Sequence, residues 1–72
     1  MSFNKSLIEQ EAANLGYDLH WEDEIKPDDF YFAHRNGNPT LLRCKSINNN
    51  CVIPRDQKYP YYIFECVKAV KI

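Results

Sequence analysis

The dipeptide Asn36-Gly37 constrains this chain more than any other feature. The runs on either side, Phe30–His34 and Thr40–Ser46, are rich in residues that favour strands. Asn-Gly between two such runs supplies the positive φ that a two-residue hairpin turn demands at both central positions. With those two residues as the loop, the register follows. Arg35 faces Asn38, His34 faces Pro39, Phe32 faces Leu41 and Phe30 faces Arg43, with Asp28 reaching Lys45. Tyr31 opposite Leu42 and Ala33 opposite Thr40 fall on the other face. Pro39 then sits in a pair that exchanges no hydrogen bond, where its missing N–H costs nothing.

A lone hairpin is marginal in water and needs a cover. The N-terminal segment offers one. At 100° per residue, Leu7, Ile8, Ala12 and Leu15 fall on one side of a helix, and Lys5, Ser6, Glu9, Gln10 and Asn14 on the other. Ser2 can cap this helix, or Ser6 can do so with Glu9 in a capping box. Gly16 follows where a helix end wants positive φ. Glu11 interrupts the apolar arc, so the expected arrangement is an ion pair with a basic residue of the sheet.

Tyr17–Glu22 alternates apolar and polar residues, as a half-buried strand does. Asp23–Asp29 is an acidic loop broken by Pro27, and Asn48–Asn50 is a turn. Cys51–Ile53 reads as a short strand ending at Pro54, followed by a polar loop, Arg55–Pro60. Tyr61–Ile72 is ambiguous. Glu65, Lys68 and Lys71 recur every three residues as on a helix, yet Tyr61-Tyr62-Ile63-Phe64 favours a strand. The expected fold is a single α+β domain over residues 1–72: an N-terminal helix packed on a small antiparallel sheet of three to four strands. A helix, three strands and a C-terminal helix is the alternative.

Seventy-two residues bury little. Size scaling gives roughly 12,000 Å² of unfolded and roughly 4,700 Å² of folded surface, a thin core without room for a secluded cleft. The net charge of −1 hides a division. Residues 1–32 set two lysines against eight carboxylates, a net of −6, and residues 33–72 set seven cations against two carboxylates, a net of +5. Either the two halves neutralise each other or one of them is a docking patch. The three cysteines, Cys44, Cys51 and Cys66, are spaced by 7 and 15 residues and form no C-x-x-C pair. Buried free thiols are expected, with a metal or redox site or an intermolecular disulfide as the alternatives. No signal-like apolar run opens the chain and no 18-residue apolar stretch occurs, so a cytoplasmic location is expected, with no membrane contact.

Catalytic chemistry finds little support. Gly16 and Gly37 are the only glycines, so neither a phosphate-cradling loop nor a nucleophile elbow is present. His20 and His34 lie in alternating strands as partly exposed surface residues. No enzyme activity, cofactor or metal is expected. Glu11 on the helix, Pro27-Asp28-Asp29 before the hairpin and Arg43-Cys44-Lys45 after it resemble the layout of the restriction-endonuclease-like nucleases. That resemblance implies a divalent cation held by carboxylates and a lysine assisting the attacking water. Arg43 stands where a metal-binding acceptor belongs. The helix–Gly–aromatic–strand opening is similar to that of small HicA-like mRNA-interferase toxins, whose Gly-Ser-His motif is missing here. Neither resemblance assigns a family.

Binding is the better-supported class. Arg55, Lys58, Tyr59, Tyr61 and Tyr62 interleave cations with aromatics, which would suit RNA or single-stranded DNA. A pI near 6.0 runs against a dedicated nucleic-acid binder. A sheet covered by one helix buries one face, yet both hairpin faces carry large side chains, so a second cover is required. The C-terminal segment, a second copy of the chain or another protein could supply it. The expected function is a small non-catalytic module that binds a larger protein or itself. Its partner surface would use Trp21, Tyr31, Arg55, Lys58 and Tyr59 with the acidic residues Glu22, Asp23 and Glu24.

Overall fold

A computed structural model describes residues 5–35 and 38–72, and of Asn38 the backbone alone. One helix, α1 (Lys5–Asn14), leads into six strands. These are β1 (Tyr17–His20), β2 (Phe30–Arg35), β3 (Asn38–Asn48), β4 (Cys51–Pro54), β5 (Tyr61–Tyr62) and β6 (Cys66–Lys71). A single 3₁₀ turn, Ile63–Glu65, separates β5 from β6. The strands form an antiparallel sheet in the order β1-β6-β2-β3-β4-β5.

The hairpin register is the expected one at all six pairs, from Phe30–Arg43 to Arg35–Asn38. Residues 36 and 37 of its turn lie outside the described residues. The ladder stops at Phe30, and Asp28 does not pair with Lys45. Asp28 instead takes a φ of 76°, donates its N–H to the Cys44 carbonyl and leaves Asp29 to accept from the Cys44 N–H. Asp tolerates this left-handed conformation better than most residues.

The expected three to four strands are too few. The count is raised by a bend in β3 and a break in the C-terminal segment. A register shift between Cys44 and Ser46 lets the first part of β3 pair with β2 and its last part with β4. An irregularity of this kind inserts a residue, bends the strand and tightens its twist. Asn49, at a φ of 55°, then turns β3 into β4. The C-terminal helix of the alternative fold is absent, since residues 61–72 run strand, 3₁₀ turn, strand. In β6, Val67 and Ala69 are buried against the helix side while Cys66 and Lys68 alternate to the other face. The three-residue recurrence of Glu65, Lys68 and Lys71 therefore carried no helical meaning.

The first core lies between α1 and the sheet. Ile8 and Ala12, four residues apart, press on Tyr17, Phe32, Val67 and Ala69. Full burial of a side chain such as Ile8 stabilises by about 3 kcal/mol. The apolar stripe is narrower than the sequence indicates: Leu7 and Leu15 are 51% and 53% exposed. The buried positions of the helix form a single i, i+4 row, whereas Leu7 lies about 100° round the helix from Ile8 and Leu15 comes after the last helical residue, Asn14. Glu11 is exposed rather than ion-paired in the arc, so its charge stays hydrated. Ser6 is inside the helix and Glu9 accepts from the Trp21 indole, so neither forms the capping box, while Ser2 lies outside the described residues. Gly16 closes the helix at a φ of 87°.

The second core lies on the opposite face and settles what covers it. Tyr31, Ala33, Leu42 and Cys44 from the hairpin pack with Val52 from β4 and Ile25 from the acidic loop, while Ile47, Tyr61 and Cys66 close the edges. The bent half of β3 carries β4 and β5 over this face, so the chain provides its own second cover.

Candidate functional site

The structure divides the expected partner residues into three groups. Tyr31 is 0% exposed in the second core and takes no part in any surface. Its place there follows from the cover just described, which sequence reasoning left open between this chain and a partner. Arg55 and Lys58 are exposed beyond β4, where Arg55 is held by an ion pair with Asp28. Tyr59 is 72% exposed. Trp21, Glu22, Asp23 and Glu24 stay together and line an open groove of about 470 Å³ with Ile25, Lys26 and Pro27, facing Ile47, Ile63 and Cys66.

Trp21 follows β1, which ends at His20 rather than at Glu22. Its indole N–H donates to Glu9 Oε2 at 2.9 Å, and Lys5 Nζ lies 4.8 Å from its ring centre. The helix thus fixes one end of the groove wall. The loop is fixed at the other end by Asp29, whose Oδ2 accepts the Lys26 N–H at 2.9 Å and meets Lys68 Nζ at 3.5 Å. Ion pairs cross between the acidic and basic halves at Asp28–Arg55 and Asp29–Lys68. Asp23 engages His20 Nδ1 at 2.9 Å. Glu22 and Glu24 have no ion-pair or hydrogen-bond partner among the described residues. Self-neutralisation is therefore partial, and part of the remaining negative charge, Glu22 and Glu24, stands on the groove.

Sequence reasoning named Tyr62 only for the nucleic-acid alternative and missed its pairing with Phe64. Tyr62 is 52% and Phe64 77% exposed, and their rings stack at 5.4 Å with an 8° angle between planes. Ile63 between them is half exposed and reaches the groove. The signal was present in Tyr61-Tyr62-Ile63-Phe64, four large apolar residues in a row. In a strand at the sheet edge at most alternate members of such a run can be buried. Only Tyr61 turns inward, under the Arg35 guanidinium at 4.7 Å.

Arg35 also binds Glu65 at two points and reaches the Pro60 carbonyl at 3.4 Å. The Glu65 carboxylate accepts the Tyr62 N–H at 2.9 Å as well, and Ile63 N–H donates to the Asn50 carbonyl at 2.7 Å. The exposed aromatics are thus displayed on a connection tied at three places. The Arg35 guanidinium is the main cause that holds the Glu65 carboxyl below the usual carboxylate range. Of the cations and aromatics of the nucleic-acid reading, Arg55 is engaged by Asp28, and Tyr61 lies under the Arg35 guanidinium.

All three cysteines are free thiols, Cys44 buried and Cys51 and Cys66 half-buried. Burial pushes the Cys66 thiol up to about 12 and raises Cys44 as well, so neither is an activated nucleophile. Among the described residues no group of three or more His, Cys, Asp or Glu side chains gathers in a metal-holding cluster. Among the described residues no helix is long and apolar enough to cross a membrane. No family model, curated protein or solved structure matches the chain.

Proposed function

We propose that this protein is a small non-catalytic interaction module that binds another protein through the face formed by the groove and the aromatic pair beside it. The observation that carries this reading is the stacked pair Tyr62–Phe64, mostly exposed and rigidly displayed. Large aromatic side chains contribute strongly to protein interfaces, because they bury much area while losing few rotamers. Here the cost of ordering is met in advance by the contacts of Arg35, Glu65 and Asn50, which leaves more of the contact energy for binding. Ile63, between Tyr62 and Phe64, adds apolar surface that reaches the groove.

A photoreactive amino acid at Tyr62 tests this reading in the organism's own lysate. A discrete protein adduct is expected, lost when Phe64→Ser is added and missing when the label stands at Gln10 on the exposed side of α1. No adduct, or the same adducts from both label positions, overturns the reading.

A further inference from the structure

Resting on that reading, we propose that the groove between residues 21–27 and the Ile47–Ile63–Cys66 wall receives a peptide segment of a partner protein in which a lysine or arginine neighbours an aliphatic side chain. The groove joins two chemistries. Its wall is apolar, with Ile25, Ile47 and Ile63, and its rim carries Glu22, Asp23 and Glu24. Two of the three rim carboxylates are not used up by pairing within the molecule. Arg55 takes Asp28, Lys68 takes Asp29 and Asp23 contacts the His20 ring at 2.9 Å, while Glu22 and Glu24 remain without a partner among the described residues. Lys26 is the one cation among the lining residues. An aliphatic side chain on the wall with a cation at the rim satisfies both halves, and an acidic segment would be repelled. Ile63 belongs to the groove and to the exposed turn beside Phe64, so one partner can span both.

Trp21 is the single tryptophan and lines the groove, which makes it a built-in reporter. The probe is a capped eight-residue peptide alternating lysine and leucine, with glutamate–leucine and lysine–serine counterparts. The lysine–leucine peptide should shift Trp21 emission and the NMR resonances of Ile25, Ile47 and Ile63, with affinity falling as salt rises. The double variant Glu22→Gln/Glu24→Gln, both sites exposed, should weaken binding about fivefold while keeping the wild-type melting temperature. Ile63→Ser should weaken it as well. Equal binding of any counterpart peptide, or an unchanged affinity in the double variant, overturns the proposal. Concentration-dependent dimerisation abolished by the double variant also overturns it, in favour of a second copy of the chain. If the Tyr62 adduct persists while the peptide does not bind, this inference falls and the module reading stands.

Discussion

Arg35 and Glu65 meet in a two-point contact, Nε to Oε2 at 3.0 Å and Nη2 to Oε1 at 2.8 Å, which ties the end of β2 to the 3₁₀ turn thirty residues later. The planar guanidinium matches a carboxylate in this geometry, and a lysine cannot. Glu65→Gln and Arg35→Lys should each loosen the turn before the rest of the fold. Hydrogen exchange at Tyr62 and Ile63 should quicken in both variants while exchange in β2 and β6 stays slow. The pH dependence has a definite sign. The Glu65 carboxyl is lowered in the fold, so its contribution is complete above the unfolded value of about 4.3 and is lost as pH falls through the folded value. Thermal melts between pH 6 and pH 2 should therefore converge for wild type and Glu65→Gln at the acid end. Curves that stay parallel throughout would show that the contact adds no stability.

The Tyr31 hydroxyl is buried and finds no hydrogen-bond partner among the described residues. An unpartnered buried hydroxyl costs about 1–3 kcal/mol, whereas the ring itself fills the second core. Tyr31→Phe should accordingly leave stability unchanged or raise it, by about 1 kcal/mol at most. Tyr31→Ala should cost about 3–5 kcal/mol, the range for truncating a large buried aromatic. Denaturant melts distinguish the two. Burial raises the Tyr31 phenol, so the fold favours the neutral form, and that stability is lost once pH exceeds the unfolded value of about 10. Tyr31→Phe should therefore resist alkaline unfolding better than wild type, and equal sensitivity would refute this account.

Thiol labelling should proceed in a fixed order. Cys44 is enclosed in the second core, and the Cys66 thiol is pushed up to about 12 by burial and points at the Tyr62 carbonyl, 3.3 Å away. Cys51 is half-buried near the sheet edge. With a disulfide reagent at pH 8, Cys51 should be modified first, and Cys44 and Cys66 only as the fold opens. Mass spectrometry of digests taken over time reads the order directly, and early labelling of Cys44 would contradict it.

Gly16 tests backbone strain without crowding. Its φ of 87° lies where side chains are disfavoured, yet a Cβ there would meet nothing within 4 Å. Gly16→Ala should destabilise by about 1–2 kcal/mol from conformation alone, and Gly16→Asn by less. The Gly16 carbonyl accepts the Ile72 N–H at 2.9 Å, so exchange at Ile72 should report the same disturbance. A neutral alanine variant in thermal melts would count against the conformation at this residue.

The hairpin was legible because its turn chemistry, strand preference and cross-strand pairing all agree, and one register satisfies the three. The helix was legible through Ile8, Ala12 and Gly16. The bend at Cys44–Ser46 was not, because Arg43-Cys44-Lys45-Ser46 looks like an unbroken strand and the shift is imposed by pairing with β4. The strand preference of Tyr61-Tyr62 was legible, but not that β5 is only two residues long and pairs with Cys51 and Val52 at the sheet edge. The groove was half legible: Trp21 and the acidic residues are contiguous, while Ile47, Ile63 and Cys66 arrive from three separate elements. Tyr31 was misplaced because an aromatic on the face away from the helix looks available until β3 is known to fold back.

β6 is last among the strands but lies inside the sheet, between β1 and β2, and among the described residues is the only strand that β1 pairs with. The helix and β1 therefore cannot be locked down until Cys66–Lys71 has threaded into the gap, a closure spanning some fifty residues of chain. Contacts so distant in sequence slow folding far more than they affect stability. The same arrangement makes the molecule divisible. A chain cut before Cys66 should stay incompletely folded, and a separate peptide carrying residues 66–72 should restore it, which would turn strand insertion into a switch an experimenter can operate.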